Sequence, residues 1–436
     1  METISFLTFG CKLNQAETAM MIRQAREHGY RVIDPSRDSD FYVIHTCTVT
    51  GRASSKCRQA IRRVKRLNPR AVVVVAGCYA QVGAGEIAGI PGVDLILGSL
   101  DKYDLFEKLR SHREKQDTEI LVSSLEEETR AKAGQADFRQ QTRAFLKIQD
   151  GCSRSCSYCI VPRTRGPARS VPQEKVVDLA YHMIEQGHQE IVLTGVHIGD
   201  YGREKHGRSM LSELLEALIR IPGLGRIRLS SLDSEDITPK LLDIMEHEKK
   251  ICRHFHIPLQ SGSDRILKLM GRRTSTDAFR RTVDMIFNRL GTVGLGIDVI
   301  TGHPGESDGC FQETVRFIES IPVSYLHVFP FSSRPDTRAA VMEGQVNPRI
   351  RLERARGLRV LGAEKKRQFT EKILGRKVCV LIEGHSREKF MSGFSSEYAR
   401  VYVPRQSLLS NRLVRVRAEN LYADGVMGSV VGTIHE

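Results

Sequence analysis

No apolar run in the sequence approaches a membrane span: the longest, Ala71-Val72-Val73-Val74-Val75-Ala76, has 6 residues, against the roughly 20 a bilayer requires. The opening residues, Met1-Glu2-Thr3-Ile4-Ser5-Phe6, have neither a basic n-region nor a cleavable apolar segment, so no secretory signal is expected and the cytoplasm is the expected compartment. In that reducing setting the 10 cysteines read as metal ligands or buried thiols rather than disulfides. Acidic residues are scarce: 52 Asp and Glu stand against 66 Lys and Arg, a formal net charge of +14. The surplus favours a polyanionic partner such as nucleic acid, the plainer alternative being a generally basic soluble protein. What is present, 40% hydrophobic and 27% charged residues, is the make-up of a soluble globular chain. At 436 residues it is too long for one core, and roughly two or three domains are expected.

The stretch richest in chemistry is Cys152-Ser-Arg-Ser-Cys156-Ser-Tyr-Cys159, directly after the strand-like run Ala144 to Gln149. C-x3-C-x2-C spacing puts three thiolates on one short loop, enough to hold three irons of a cubic 4Fe-4S cluster and leave the fourth open for chemistry. The alternative is a zinc knuckle completed by a distant Cys or His.

Upstream, residues 1 to about 110 alternate strand-like runs (Ile4 to Phe9, Phe41 to His45, Ala71 to Ala76, Val93 to Leu97, and a weaker Tyr30 to Ile33) with helices over Asn14 to His28 and Arg52 to Leu67. That alternation predicts a parallel α/β sheet. Cys11, Cys47 and Cys78 each fall just past the carboxyl end of a different strand, the edge where sites assemble in open α/β sheets. They form a second candidate triad; the competing reading is a coincidence of ordinary buried cysteines. Cys57 lies inside the second helix and stays outside the pattern, and Cys252, Cys310 and Cys379 are taken as structural. The segment 52–70 carries eight basic residues, with Arg58, Arg62 and Arg66 four apart on one stripe, and no acid. Such an unbalanced face is explained either by a phosphate backbone or by plain solvation.

From Ser111 to Thr142 the chain turns polar, a linker with one short strand at Glu119 to Val122. Beyond the cysteine loop, strand-like runs at Glu190 to Thr194, Arg226 to Leu232, His254 to Gln260, Gly294 to Thr301 and Tyr325 to Phe331 alternate with helices such as Gln173 to Gln186, Leu211 to Ile219 and Asp277 to Leu290. With the run before Cys152 these make six βα units, a partial barrel whose site belongs at the carboxyl ends of its strands. Strand alternation turns His254, His256, Pro258 and Gln260, and likewise Gly296, Asp298 and Ile300, into the lumen, making it a binding cavity. His254 and His256 are expected to hydrogen-bond rather than hold a metal, since no third ligand stands nearby in the sequence. Thr194-Gly195 closes a strand where a cofactor could approach the backbone. A long basic helix is expected over Pro348 to Gly375, then five short strands from Val378 to Val431 forming a small OB-type barrel, with Lys377, Lys389, Arg400, Arg405, Arg412, Arg415 and Arg417 on a positive face. Such barrels also serve as packing modules.

These residues resemble a known family along nearly the whole chain. The Cys152 motif with Tyr158 resembles the radical S-adenosylmethionine (SAM) signature, and Thr8-Phe9-Gly10-Cys11-Lys12-Leu13-Asn14, Thr46-Cys47-Thr48-Val49-Thr50 and Gly77-Cys78-Tyr79-Ala80-Gln81 resemble the N-terminal domain of the methylthiotransferases. Asp150-Gly151-Cys152, Arg165-Gly166, Pro258-Leu259-Gln260-Ser261-Gly262-Ser263 and His303-Pro304-Gly305-Glu306 continue the match, and the tail resembles the RNA-binding barrel called TRAM. The resemblance implies a flavodoxin-like or Rossmann-like α/β domain over 1–112, a linker over 113–142, a partial (βα)6 radical SAM barrel over 143–370 and a TRAM barrel over 371–436. It also implies two 4Fe-4S clusters, one binding SAM at Cys152, Cys156 and Cys159 and an auxiliary one carrying sulfur at Cys11, Cys47 and Cys78. SAM contacts are expected from Tyr158, Thr194, Gly195, Ser230 and Gln260, while Asp298 orients SAM or the substrate nucleoside.

The family's branches act on isopentenyladenosine in tRNA, on N6-threonylcarbamoyladenosine in tRNA, or on a ribosomal-protein aspartate. Phe9 to Glu17 and Thr46 to Thr50 resemble the threonylcarbamoyladenosine branch. A tRNA anticodon stem-loop, an electron donor such as flavodoxin or ferredoxin, no membrane and a monomeric state complete the expectation. The sequence departs from the pattern at His45 (usually Asn), Asp233-Ser234 (usually Glu-Pro) and His303 (usually Phe), none of them a cluster cysteine.

Overall fold

The alternating runs of the first hundred residues build a parallel sheet in a computed structural model that describes residues 1–112, 117–126, 128, 130–139, 141–387 and 389–434. Within the expected linker, residues 113–116, 127, 129 and 140 lie outside the described residues, as do 388, 435 and 436 of the C-terminal module. Strands β1 (Thr3–Thr8), β2 (Arg31–Val32), β3 (Phe41–Thr46), β4 (Val72–Gly77), β5 (Leu95–Leu97) and β6 (Glu119–Leu121) lie in the order β2-β1-β3-β4-β5-β6, every pairing parallel. Apart from the added β6 this is the flavodoxin-like order. Side-chain alternation divides the central strands between two cores, Phe41, Val43 and Val74 on one face and Tyr42, Ile44, Val73 and Val75 on the other. β6 is the strand expected inside the linker; it pairs with β5, Leu95 opposite Glu119, so the first sheet runs on past residue 112. Its pairing partner is not legible in its three residues; what recruits them is the otherwise open edge of β5.

The second unit has the six parallel strands expected: β7 (Arg143–Lys147), then, after a short antiparallel ribbon of β8 (Gln149–Asp150) and β9 (Arg169–Ser170), β10 (Glu190–Thr194), β11 (Arg226–Leu229), β12 (His254–His256), β13 (Gly294–Thr301) and β14 (Tyr325–Pro330). They follow one another as β7-β10-β11 and β12-β13-β14, the two halves joined by the bridges Ile227–Ile251 and Ser231–His256, which leaves a barrel open between β14 and β7. The ribbon brackets the Cys152–Cys159 loop, so the loop is clamped at both ends. Helix Pro348–Glu371 covers β14. Two of its basic residues are buried: Arg354 binds Glu306 and Asp308, each at 2.6 Å, and Lys365 caps the carbonyls of Glu319 and Ile321. Arg349, Arg356, Arg359 and Arg367 stay exposed.

The tail closes into a five-stranded barrel, order β15-β16-β17-β19-β18, from β15 (Lys377–Arg387), β16 (Phe390–Ser395), β17 (Arg400–Pro404), β18 (Leu413–Tyr422) and β19 (Gly425–Thr433). It docks on the amino-terminal end of the larger barrel. Arg226 donates to the carbonyls of Cys379 (3.1 Å) and Phe394 (2.9 Å), and Arg228 to those of Ser395 and Ser396 (3.0 Å each), while buried Glu190 pairs with both guanidiniums. Tyr398 packs against His254 inside the lumen, the ring centroids 4.6 Å apart and the planes tilted by 34°. The small barrel therefore plugs the bottom of the large one and leaves its top for chemistry. No helix among the described residues is long and apolar enough to cross a membrane.

Candidate active site

Strand ends bring the first triad together. Cys11 sits at the start of helix Lys12–Glu27 after β1, Cys78 opens helix Cys78–Ala88 after β4, and Cys47 follows β3 on the way to helix Gly51–Leu67, whose N-cap Thr50 accepts from Ala53 N at 3.2 Å. Helix N-termini favour thiolates, because the unpaired N–H groups carry partial positive charge. Gly10 (φ 116°) and Gly77 (φ 98°) turn the chain into Cys11 and Cys78 through left-handed backbone. Neither has room for a side chain: a Cβ on Gly10 would lie 2.9 Å from that of Cys47, and one on Gly77 would lie 2.7 Å from the ring of His45. Cys47 is buried, burial pushes its pKa up to about 12, and the charges of Cys78 and Cys11 push the same way.

The second triad lies at the top of β7. Gly151 (φ 69°) makes the turn into Cys152, whose N–H bonds Gly166 O at 3.0 Å, and Cys159 N bonds Cys156 O at 3.1 Å. Burial raises Cys152 to about 11 and Cys159 to about 12, the latter also under the charge of Cys156 and Cys152. The only groups of three ligating atoms within 4.8 Å of one another among the described residues are His256/Asp298/His327 and His197/Asp200/Asp236. Neither cysteine triad is among them.

Between the triads lies a cavity of about 210 Å³. Val49 and Thr50, just after Cys47, form one wall; Tyr158, Cys159 and Ile160 form another; Gln260, Asp298 and Ile300 of the barrel and Phe329 to Ser332 complete it. Gln260 and Asp298 thus face the space, Asp298 as alternation predicts. Gln260 holds a left-handed backbone (φ 69°), fixed by Gln260 N to Asp298 O (2.8 Å) and Ile300 N to Gln260 O (2.9 Å), a strained conformation of the kind kept at ligand sites. Ser230 is buried with no hydrogen-bond partner for its hydroxyl among the described residues, an orphan that suits a polar cofactor. Thr194 is buried at the end of β10. Gly195 has a different reason to be glycine from cofactor access: the volume a Cβ would take is filled by Gln149 (Cβ at 3.0 Å). Gln149 in turn donates to the carbonyls of Asp150 and Gly151 and accepts from His197 N, bracing the turn into Cys152.

Asp298 Oδ1 accepts from His256 Nε2 at 3.0 Å and His327 Nδ1 at 3.1 Å, and the Tyr325 hydroxyl joins His254 (2.8 Å) to His256 (3.3 Å). Burial alone would raise the pKa of Asp298, but the bonds from His256 and His327 outweigh it and hold the carboxyl well below its ordinary range. The sequence placed no third ligand near His254 and His256, whereas the fold brings two groups to His256, because β13 and β14 present Asp298 and His327 in register. In this arrangement the carboxylate accepts from both rings.

Charged residues around the cysteine loop carry no sequence signal of their own. Arg154 binds Glu235 (2.5 Å), Asp233 (2.9 Å) and His197 (2.8 Å); Arg272 binds Asp233 (2.5 Å) and lies 4.0 Å from Cys156 Sγ. The departure Asp233-Ser234 thus supplies a carboxylate to two arginines beside the loop. The other two departures are neutral rings. His303 bonds Ser157 Oγ at 3.0 Å, and burial lowers its pKa to about 4; His45 bonds Thr18 Oγ1 at 2.9 Å, and burial lowers it to about 3. Glu17 stands 3.5 Å from His45 but is already saturated by Arg165, Lys102 and Lys147, so no ion pair forms. No sequence motif flags these contacts, which join residues tens of positions apart.

An open six-stranded βα barrel with a C-x3-C-x2-C loop at its top defines a radical SAM protein, and residues 146–318 match the Radical SAM superfamily while 3–98 match the uncharacterized protein family UPF0004. The fold is similar to that of the radical SAM methyltransferase TsrM from Kitasatospora setae (TM-score 0.56, 15% identity, 78% of this chain and 77% of that one). Among curated proteins the chain is 38% identical to the threonylcarbamoyladenosine tRNA methylthiotransferase MtaB of Aquifex aeolicus, over 88% of this chain and 93% of that protein. It is 35% identical to the protein of the same name from Bacillus subtilis, over 96% and 94%. Identity to the tRNA-2-methylthio-N(6)-dimethylallyladenosine synthase of Thermodesulfovibrio yellowstonii is 28%, over 98% of each. The chain belongs to the radical SAM methylthiotransferase family, on its threonylcarbamoyladenosine side.

Proposed function

We propose that this enzyme inserts a methylthio group at adenine C2 of N6-threonylcarbamoyladenosine beside the anticodon of tRNA. The observation that carries the reading is the cavity between the two cysteine triads, with Val49 and Thr50 from one side and Tyr158 and Cys159 from the other. Cys152, Cys156 and Cys159 would hold a 4Fe-4S cluster with SAM at its open iron, and Cys11, Cys47 and Cys78 an auxiliary one; bound there, the first supplies the electron for reductive SAM cleavage and the second the sulfur.

This chain's own residues supply placement. Ser230, Thr194, Gly195, Tyr158 and Gln260 ring the expected SAM position at the strand ends. Asp298, kept ionised, is an acceptor for a ribose or nucleoside donor on the cavity floor. Phe329 and Phe331 give the mouth aromatic surface on which an unstacked loop base can lie. The mostly apolar lining keeps water away from reactive species. Exposed Arg62, Arg63 and Arg66, Arg349 and Arg356, and Arg412, Arg415 and Arg417 on the three units are candidates for the stem phosphates.

Mass spectrometry of tRNA nucleosides from cells lacking the protein tests the assignment. The methylthio mark on threonylcarbamoyladenosine disappears if the reading is right. Its retention, or loss of the mark on isopentenyladenosine instead, refutes the substrate. Iron analysis of anaerobically reconstituted protein is expected to give about eight irons per chain.

A further inference from the structure

One buried guanidinium touches both candidate cluster loops. Arg165 lies on the short helix Val161–Arg165, six residues past Cys159, and is fully enclosed between the first two units. Its Nη2 donates to Asn14 Oδ1 at 2.7 Å and its Nη1 to Asp150 Oδ1 at 2.9 Å, while both nitrogens bond the Glu17 carboxylate at 3.0 Å. Asn14 is the clasp of the first triad: its amide donates to Phe9 O (2.8 Å) and Thr46 O (3.0 Å), the carbonyls leading into Cys11 and Cys47, and its Oδ1 faces the Cys11 thiol at 3.8 Å. Asp150 stands at the turn into Cys152 and accepts from Gly151 N at 2.8 Å.

Arg165 and Lys147 are buried against two carboxylates, Glu17 and Asp150; Lys102 also stands 3.3 Å from Glu17, and burial lowers its pKa. Burial alone would lower the pKa of Arg165, but Cys78, Glu17 and Asp150 overcome it and hold the guanidinium charged. A cluster held by three thiolates is an anion, and it would stand beside the residues that Arg165 clasps.

Resting on the cluster assignment above, we propose that Arg165 is a positioning residue that couples the two sites: it locks the Cys11 and Cys47 loops to the Cys152 turn and raises the reduction potential of the auxiliary cluster by facing it with a fixed positive charge. A nearby cation stabilises the more negative, reduced state, and cluster potentials respond to such surroundings.

The test uses full-length protein with Cys152, Cys156 and Cys159 replaced by Ala, reconstituted so that only the auxiliary site is loaded, and titrated potentiometrically with EPR detection. Arg165→Gln is expected to lower the reduced-to-oxidised ratio at fixed potential by at least about tenfold, equivalent to about 59 mV for one electron, and Arg165→Lys to restore most of it. Glu17→Gln, which keeps the arginine and removes an opposing charge, is expected to move the ratio the other way and decides the matter if Arg165→Gln loses its iron. Unmoved potentials in iron-replete variants overturn the role of Arg165 and leave the cluster assignment standing. Failure of the parent to bind about four irons overturns the assignment and this role together.

Discussion

At the residue scale, three of the six cysteines in the two triads are preceded by a glycine in left-handed backbone: Gly10, Gly77 and Gly151. Each turns the chain sharply at a strand end, and a Cβ at any of the three would meet atoms of a neighbouring segment. Gly77→Ala is expected to displace Cys78 against His45 and reduce reconstituted iron from about eight to about four per chain, leaving the Cys152 site loaded. His303 gives a pH prediction. Its folded-state pKa of about 4 lies below the ordinary value of about 6.5, so the unfolded chain takes up a proton first as pH falls. The stability that neutral His303 contributes is therefore intact above pH 6.5 and is lost as pH falls toward 4, by about 3 kcal/mol. His303→Phe, which restores the residue usual in the family, should shrink the difference in unfolding free energy between pH 7 and pH 4 by about that amount, as read from denaturant titrations.

At the scale of elements, helix Gly51–Leu67 shows how a charged stripe divides between structure and binding. Arg58 is committed to Glu86 at 2.8 Å and to the Tyr79 hydroxyl at 2.9 Å, while Arg62 and Arg66 are exposed. Replacing Arg62 and Arg66 with Ala should weaken tRNA binding and flatten the salt dependence of log Kd by about 0.7 to 0.9 for each phosphate no longer neutralised, with iron content unchanged. An unaltered slope would remove this helix from the RNA surface. The helix itself was legible from sequence because its buried residues, Cys57, Ala60, Ile61 and Val64, keep helical spacing. That Arg58, and likewise Arg354 and Lys365 in the later basic helix, are tied down was not legible, since their partners come from other elements.

For the whole molecule, the ion pairs under the barrel hold the C-terminal unit in place. Glu190 lies buried between Arg226 and Arg228, which reach across to backbone carbonyls of the small barrel. Glu190→Gln leaves two enclosed guanidiniums without their carboxylate and should cost about 3 to 5 kcal/mol of stability, measured as a fall in the urea midpoint. A midpoint within error of the parent would show that the interface tolerates the loss. The docking also divides the small barrel: β16 and the turn carrying Tyr398 face the lumen, while Lys377, Lys389, Arg405, Arg412, Arg415 and Arg417 stay exposed.

What the sequence determined by itself was whatever local periodicity and spacing encode: the parallel strands of the first two units, the closed tail barrel, and six cysteines at strand ends. Alternation of side chains was enough to turn His256 and Asp298 inward, because a strand has only two faces; Gln260 reaches the cavity from beyond β12 in left-handed backbone. Only the tertiary structure decided that Cys159 and the loop after Cys47 line one cavity, that a strand beyond the first unit completes its sheet, that Gly195 makes room for Gln149, and that Arg165 joins Asn14 to Asp150. Those contacts depend on how separate units meet. Buried charge must find partners wherever the chain brings them, at separations that no local pattern records.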